Sequence, residues 1–127
     1  MNKFSLYLGV LSLSFASYSQ QYDFQTIKEI NCLPITSQGN TGTCWSFSST
    51  SFLESEIIRA TGQKVDLSEM YNVRFTYLAK AENYVMRQGK AQFGEGGLNH
   101  DVINSAKKHG LATEAVFSGK LSTDAKH

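Results

Sequence analysis

The feature that most constrains this chain is a cysteine placed between a flexible loop and a helix. Cys44 follows a loop rich in Gly, Thr and Asn (38–43) and precedes apolar residues that recur every three or four positions. This spacing predicts a helix over 45–60, ended by Gly62. A thiol in the first turn of a helix faces unpaired backbone N–H groups and the positive end of the helix dipole, and both favour the nucleophilic thiolate. The buried stripe expected of this helix is Trp45, Phe52, Leu53, Ile57 and Ile58.

The residues around Cys44 also carry a family resemblance. Gln38, Gly42, Cys44, Trp45 and Phe47 fit the pattern Gln-x-x-x-Gly-x-Cys-Trp-x-Phe, and the segment therefore resembles the signature of papain-like cysteine peptidases. The resemblance implies that Cys44 is the nucleophile, and that the Gln38 amide and the Cys44 backbone N–H stabilise the oxyanion. It also assigns Gly42 and Trp45 to the substrate site.

Thr41 sets this signature apart from that of many secreted papain and cathepsin types. Those usually have a disulfide-bonded cysteine three positions before the nucleophile, where this chain has Thr41. In this respect the chain is similar to the bleomycin hydrolase and aminopeptidase C branch. That likeness hints at aminopeptidase action, although the sequence leaves open whether the enzyme is an endopeptidase or an exopeptidase.

The first nineteen residues are expected to be removed before the protein functions. Asn2 and Lys3 form a short basic start, an apolar run follows over 4–15, and small residues precede Gln20. This pattern is typical of a secretory signal peptide (1–19), and the run is too short to cross a bilayer as a helix. We expect an exported protein with no lipid anchor and no membrane contact after cleavage. The alternative is that 1–19 forms an N-terminal helix of the core or an anchor.

The charge balance argues against a nucleic-acid or anionic-membrane partner. The 127 residues carry 12 Lys and Arg against 11 Asp and Glu, so the chain has no strong basic field. A hydrophobic content of 41% is enough for the core of one modest domain. The glycines at 89, 94, 96 and 97 follow no strand and precede no Lys-Ser or Lys-Thr pair, so they do not predict a phosphate loop. We expect neither a cofactor nor a metal.

The two cysteines of the chain allow two interpretations. In an oxidising compartment Cys32 and Cys44 could form a structural disulfide, which would make this a small stapled helical protein. We expect instead that Cys44 is free for chemistry and that Cys32 is a small buried or half-buried residue.

Two further helices are expected, over 68–87 and 99–108, the first with Asp66 or Ser68 as its N-cap. We assign Lys80 to the solvated face of the first. The buried stripes expected from the spacing are Met70, Val73, Tyr77, Ala81, Tyr84 and Val85 in the first helix, and Leu98, Val102, Ile103 and Ala106 in the second. The residues after Leu111 are polar and small, and we expect 113–127 to be a poorly packed tail.

The Gly96-Gly97 pair before the last helix has a counterpart in the resembled family. There, a Gly-Gly pair forms an exposed backbone edge on which the peptide substrate lies in β-like pairing. Another backbone can approach so closely because these residues have no side chains. The resemblance implies that Gly96 and Gly97 bind substrate and that Leu98 begins the wall of a side-chain pocket. The alternative is a plain surface turn.

The sequence does not provide Cys44 with an evident base. Such a nucleophile needs an imidazole within hydrogen-bond reach, itself oriented by an amide or a carboxylate. The resembled family carries these groups on a β-rich half, more than about a hundred residues after the nucleophile. His100 is the only histidine expected near the Gly-Gly pair, and its position is more typical of a solvated residue. His109 and His127 are not expected to act.

The fold class expected for 20–112 is mainly α. It corresponds to the helical left half of an α+β papain-like fold, and we expect the β-rich right half to be absent. The predicted function is cysteine-type hydrolysis of peptide or protein substrates, inactive until a C-terminal half-domain partner supplies the histidine and asparagine. The alternative is a non-catalytic scaffold that binds peptides along the Gly-Gly edge.

Overall fold

The computed structural model describes residues 22–120 and is helical throughout its regular part. In that range the only strand-like pairing is a single antiparallel bridge between Leu67 and Thr113. The prediction of a mainly α chain is therefore confirmed, and the architecture is consistent with the helical half of the papain fold. The helices are α1 (Cys44–Thr61), α2 (Glu69–Met86) and α3 (Asn99–His109).

Local sequence signals explain where the helices begin and end. Gly62 ends α1 in the left-handed conformation (φ 73°), and its N–H donates to the Ile58 carbonyl at 2.8 Å. Of the two predicted caps of α2, Ser68 serves, because its Oγ accepts from the Tyr71 N–H at 3.1 Å. Gly110 follows the last residue of α3, as the sequence indicated.

The core is small and joins one residue from each helix. Trp45 of α1, Val73 of α2 and Val102 of α3 pack together. Around them the half-buried side chains of Leu53, Met70 and Tyr77 complete the cluster. This cluster fixes the start of α1 against the other two helices, and Cys44 is the first residue of α1.

Several residues of the predicted stripes lie on the surface instead. Phe52 is 63% exposed at an open groove between α1 and α3, and Leu98 is 61% exposed. Tyr84 and Val85 are exposed because the buried residues of α2 all lie in its first half, between 69 and 76. Helical spacing predicts which residues share a face. It does not predict how far along that face the neighbouring helices reach.

The described part of the predicted tail differs from expectation. The Ser68 N–H donates to the Ala112 carbonyl at 2.9 Å, and the Glu114 N–H donates to the Asp66 carbonyl at 3.0 Å. The residues 112–117 are therefore packed along the start of α2 rather than loosely attached. Their polar composition concealed this, because backbone pairing needs no apolar side chains.

The segment before α1, residues 22–37, contains no helix or strand, and most of its apolar side chains are exposed. Cys32 is exposed as well, so its predicted burial is wrong: no described element covers this extended stretch. The predicted signal peptide, 1–19, lies outside the described residues, as do 121–127. Among the helices that are described, none is both long enough and apolar enough to cross a bilayer.

Candidate functional site

Hydrogen bonds within residues 38–43 shape the loop that leads to Cys44, here called the cysteine loop. The Gln38 Nε2 donates to the Thr41 carbonyl at 2.6 Å, and the Thr41 hydroxyl donates to the Gln38 carbonyl at 2.9 Å. Gly39 makes the turn between them with a positive φ of 66°. The loop therefore closes on itself, which sets the direction in which the chain enters α1.

Cys44 is exposed at the first position of α1, and its thiol is free. Cys32 is also free, so the two cysteines do not form the disulfide of the stapled alternative. The Gln38 amide is half-buried and uses one N–H on Thr41, which leaves its second N–H for another acceptor. The side chain of Gln38 thus folds back onto its own loop, and its role toward an oxyanion stays a prediction.

A second loop, residues 94–98, lies against the start of α1 and is here called the glycine loop. The Glu95 carbonyl accepts from the Trp45 Nε1–H at 3.0 Å and from the Tyr77 hydroxyl at 3.3 Å. The Lys80 Nζ donates to the carbonyls of Gly94, at 3.0 Å, and of Gly96. Three successive carbonyls of this loop are therefore held by side chains of α1 and α2.

Gly97 differs from its three predecessors in the glycine loop. Neither its N–H nor its carbonyl forms a hydrogen bond with another residue of 22–120. Next to it lies an open hollow of about 330 Å³, bordered by Leu98 and Gln92. An extended peptide could pair with this backbone as with the edge of a sheet, and one of its side chains could enter the hollow.

Two glycines permit the close approach of these loops. A Cβ on Gly97 would lie 2.6 Å from ring atoms of Trp45, and one on Gly42 would lie 2.6 Å from the Glu95 carboxylate. The φ of Gly42 is not in the positive region that favours glycine. Contact with Glu95, rather than backbone conformation, is what requires glycine there.

Of the residues that fix the glycine loop, Trp45 and Tyr77 were expected to be buried, whereas Lys80 was misassigned and Glu95 was missed. Lys80 was assigned to solvent, yet it is half-buried, and its Nζ lies 6.0 Å from the centre of the Trp45 ring. Burial raises the pKa of Tyr77, and the Glu95 carboxylate raises it further, so its hydroxyl stays a donor. The sequence offered one signal of this contact, namely a charged residue between two glycines, Gly94-Glu95-Gly96.

The described histidines are occupied away from Cys44. His109 stacks on Phe75 with ring centres 4.0 Å apart, at the far end of α3. The His100 Nε2 lies 3.5 Å from an Asp101 carboxylate oxygen, and its side chain is mostly exposed. Neither forms a hydrogen bond with Cys44. In the range 22–120, no group of three or more His, Cys, Asp or Glu side chains is arranged to hold a metal ion.

Comparison with known proteins identifies the family of this chain. The profile of the papain family cysteine proteases matches residues 18–124. The chain is 32% identical over 99 residues to a cathepsin L-like peptidase of Aedes aegypti, and 50% identical over 86 residues to the oryzain gamma chain of Oryza sativa subsp. japonica. It is 31% identical over 98 residues to cysteine proteinase 15A of Pisum sativum. The chain therefore belongs to the papain family of cysteine proteases.

These alignments cover most of this chain but only a small part of each relative. They include 74%, 66% and 77% of the chain, and 25%, 21% and 25% of the respective relatives. The chain thus spans about a quarter of the length of the curated relatives it matches. The predicted family is confirmed. The names of these relatives give no support to the bleomycin hydrolase branch suggested by Thr41.

Proposed function

We propose that this chain provides the nucleophile and the substrate-binding edge of a cysteine peptidase. The Cys44 thiolate attacks the carbonyl carbon of a peptide bond, and the Gln38 amide and the Cys44 N–H stabilise the resulting oxyanion. The amine product leaves with a proton from an imidazolium, and water then hydrolyses the thioester. The observation that carries this proposal is an exposed, free thiol at the start of α1, next to a loop whose Gly97 backbone is unpaired among the described residues.

The imidazole is proposed to come from a part of the protein outside the described residues. His100 and His109 are occupied by other contacts, and no described residue forms a hydrogen bond with the Cys44 side chain. A β-rich C-terminal half-domain is therefore the partner that this site requires. We propose that residues 20–127 alone do not hydrolyse peptides.

Replacing each cysteine in turn tests the assignment of the nucleophile. In the full-length gene product, Cys44→Ser should lower peptide hydrolysis by roughly a thousandfold or more, because serine without further activation is a far weaker nucleophile. Cys32→Ser is the matched control, since Cys32 is also free and exposed, and it should retain activity within about twofold. Circular dichroism should show both variants folded. Full activity in a folded Cys44→Ser variant would overturn the proposal.

The second candidate function, a peptide-binding scaffold without catalysis, is favoured by the lack of a base among the described residues. A peptidyl epoxysuccinate separates the two, because it binds as a peptide and then alkylates an assembled nucleophile. Covalent modification of Cys44 in the full-length protein supports a peptidase, whereas reversible binding without modification supports the scaffold. Aminopeptidase action is the finer proposal, and a substrate with a blocked N-terminus would resist such an enzyme. We also propose export, which N-terminal sequencing should show as a mature chain that begins at Gln20.

A further inference from the structure

We infer that Glu95 is a positioning residue that holds the Gly96-Gly97 edge at a fixed place relative to Cys44. It touches neither thiol nor substrate, and it acts through the backbone of the two loops. The inference rests on the proposed function, because it identifies what aligns the two parts of that site. It concerns a glutamate that the catalytic signature does not include.

The Glu95 carboxylate forms the side-chain bond from the glycine loop to the cysteine loop. Its Oε2 accepts from the Gly42 N–H at 2.9 Å, across 53 positions of sequence. A hydrogen bond from a backbone N–H to a carboxylate is charge-assisted, so it is stronger and more directional than a neutral one. Gly42 lies two residues before Cys44, and this bond therefore acts on the segment that delivers the nucleophile.

The main chain of Glu95 is held at the same time as its side chain. Its carbonyl receives hydrogen bonds from Trp45 of α1 and Tyr77 of α2, and Lys80 binds the carbonyls on either side. A residue fixed at both its carbonyl and its carboxylate has little freedom to rotate. The loop therefore reaches Gly97 in one orientation, and the Gly97 N–H and carbonyl form no hydrogen bond within residues 22–120.

No covalent link replaces this arrangement in the described residues. The chain has two cysteines, of which Cys44 is free and Cys32 lies in the extended segment before the cysteine loop. Of the side chains in the glycine loop, only that of Glu95 is hydrogen-bonded to the cysteine loop within residues 22–120. Without that bond, the distance between a bound peptide and the Cys44 thiol should become more variable. A misplacement of about 1 Å can cost as much as a hundredfold in rate.

The experiment compares two reagents on the full-length protein. Cys32 is also a free, exposed thiol, so alkylation by iodoacetamide is followed on the peptide that contains Cys44, by mass spectrometry. Measured in this way, iodoacetamide reports only the reactivity of the Cys44 thiol, whereas a peptidyl epoxysuccinate must also lie along the Gly97 edge. With Glu95→Ala, we expect alkylation by the peptidyl reagent to slow roughly tenfold and KM to rise. Alkylation by iodoacetamide should stay within about twofold. Glu95→Gln keeps an acceptor oxygen without the charge and should fall between Ala and wild type.

Glu82→Ala is the matched control, because Glu82 is an exposed glutamate of α2 with no described partner, and it should leave both rates unchanged. An unchanged peptidyl rate in Glu95→Ala would overturn the inference. An equal loss with both reagents would overturn it too, because Glu95 would then act on the thiol itself. If Glu95→Ala does not fold, the two alkylation rates are compared in Glu95→Gln instead, and the same outcomes support or overturn the inference.

A further measurement separates this inference from the proposed function. Exchange of the Gly42 amide hydrogen, followed by NMR, should become faster in Glu95→Gln than in wild type, whether or not the protein is a peptidase. If wild type is not alkylated by the peptidyl reagent, the proposed function fails. The exchange rate then still shows whether Glu95 holds the cysteine loop, and an unchanged rate would refute that contact.

Discussion

Helix α2 holds one chain segment before α3 and another after it, and it does so by different means. The glycine loop before α3 is held by polar side chains, with Tyr77 and Lys80 donating to its carbonyls. The segment after α3 is held by aromatic rings and by its own backbone. There Tyr71 packs against Phe117, with ring centres 6.0 Å apart, and the backbone of 112–114 pairs with that of 66–68.

The difference shows what a binding edge requires. Pairing after α3 uses the backbone groups of Ala112 and Glu114, which are therefore unavailable to a ligand. In the glycine loop, side chains of the helices bind the carbonyls of 94–96, and the backbone of Gly97 remains unpaired in the described structure. A loop can be rigid and still offer a free edge when the groups that hold it are side chains.

The carboxylates in the two regions differ in the same way. Glu95 lies in the exposed glycine loop, and its carboxylate is bonded to a backbone N–H. Glu69 and Glu114 lie near the start of α2, where burial raises the pKa of both, that of Glu69 to about 7. Oε2 of Glu114 is buried with no hydrogen-bond partner in the described chain. Charge therefore supports the glycine loop and destabilises the region around the start of α2.

Among the changes that test this comparison, Gly97→Ala should have the largest effect on activity, because it disturbs the contact between the glycine loop and Trp45. A Cβ there would lie 2.6 Å from the Trp45 ring, so either the ring or the loop must move. We expect kcat/KM for a peptide substrate to fall by roughly a hundredfold in the full-length protein. Gly96→Ala is the control, because a Cβ at Gly96 would have no neighbour within 4 Å. Equal activity of the two variants would show that the contact with Trp45 does not set the edge.

Tyrosine-to-phenylalanine changes compare the glycine loop with the segment after α3 directly. Their expected effects are smaller than that of Gly97→Ala. The Tyr77 hydroxyl donates to Glu95, and that of Tyr71 donates to the His109 carbonyl at 3.1 Å. Each change should lower the free energy of unfolding by about 1 kcal/mol, the usual net value of one hydrogen bond. Only Tyr77→Phe should also raise KM, by a few-fold. Urea unfolding measures the free energy of unfolding, and steady-state kinetics measure KM. A similar rise in KM for Tyr71→Phe would contradict the view that only the glycine loop serves substrate binding.

Features encoded by neighbouring residues could be predicted from the sequence. α1 begins at 44 where 45 was expected, and α3 begins at Asn99 as expected, because caps, glycine stops and apolar spacing are local signals. The family could also be predicted, since its signature occupies one continuous segment (38–47). The same resemblance singled out Cys44 and the Gly96-Gly97 pair, and their roles in catalysis and substrate binding stay predictions.

The contacts that place the two loops together could not be predicted in this way. Glu95 and Gly42 are 53 positions apart, and Lys80 had no local feature that distinguished it from a solvated lysine. Which of several amphipathic residues is covered, as with Phe52 and Val85, depends on where the neighbouring helices end. Such facts belong to the tertiary arrangement, and periodicity carries no information about them.

The smallest expected effect concerns Glu69 and depends on pH. Burial is the main cause of its raised pKa, and the carboxylates of Glu114, Glu54 and Asp66 add to it. Between the ordinary value of 4.5 and about 7, the folded protein therefore binds more protons than the unfolded chain. Stability should then fall as the pH rises through this window, and the full cost should be present above pH 7 or so.

Glu69→Gln removes this cost, since a neutral amide needs no proton. The variant should match wild type at about pH 3, well below the ordinary pKa of 4.5, where the unfolded chain and the folded protein are both largely protonated at this position. It should exceed wild type by a few degrees in Tm at about pH 8. Thermal unfolding at both pH values measures the difference. Glu82→Gln, on the exposed face of the same helix, should show no such dependence on pH. A gain in Tm that is equal at both values would mean that the fold does not raise the pKa of Glu69. The contrast between the stabilising carboxylate of Glu95 and the destabilising one of Glu69 would then not hold.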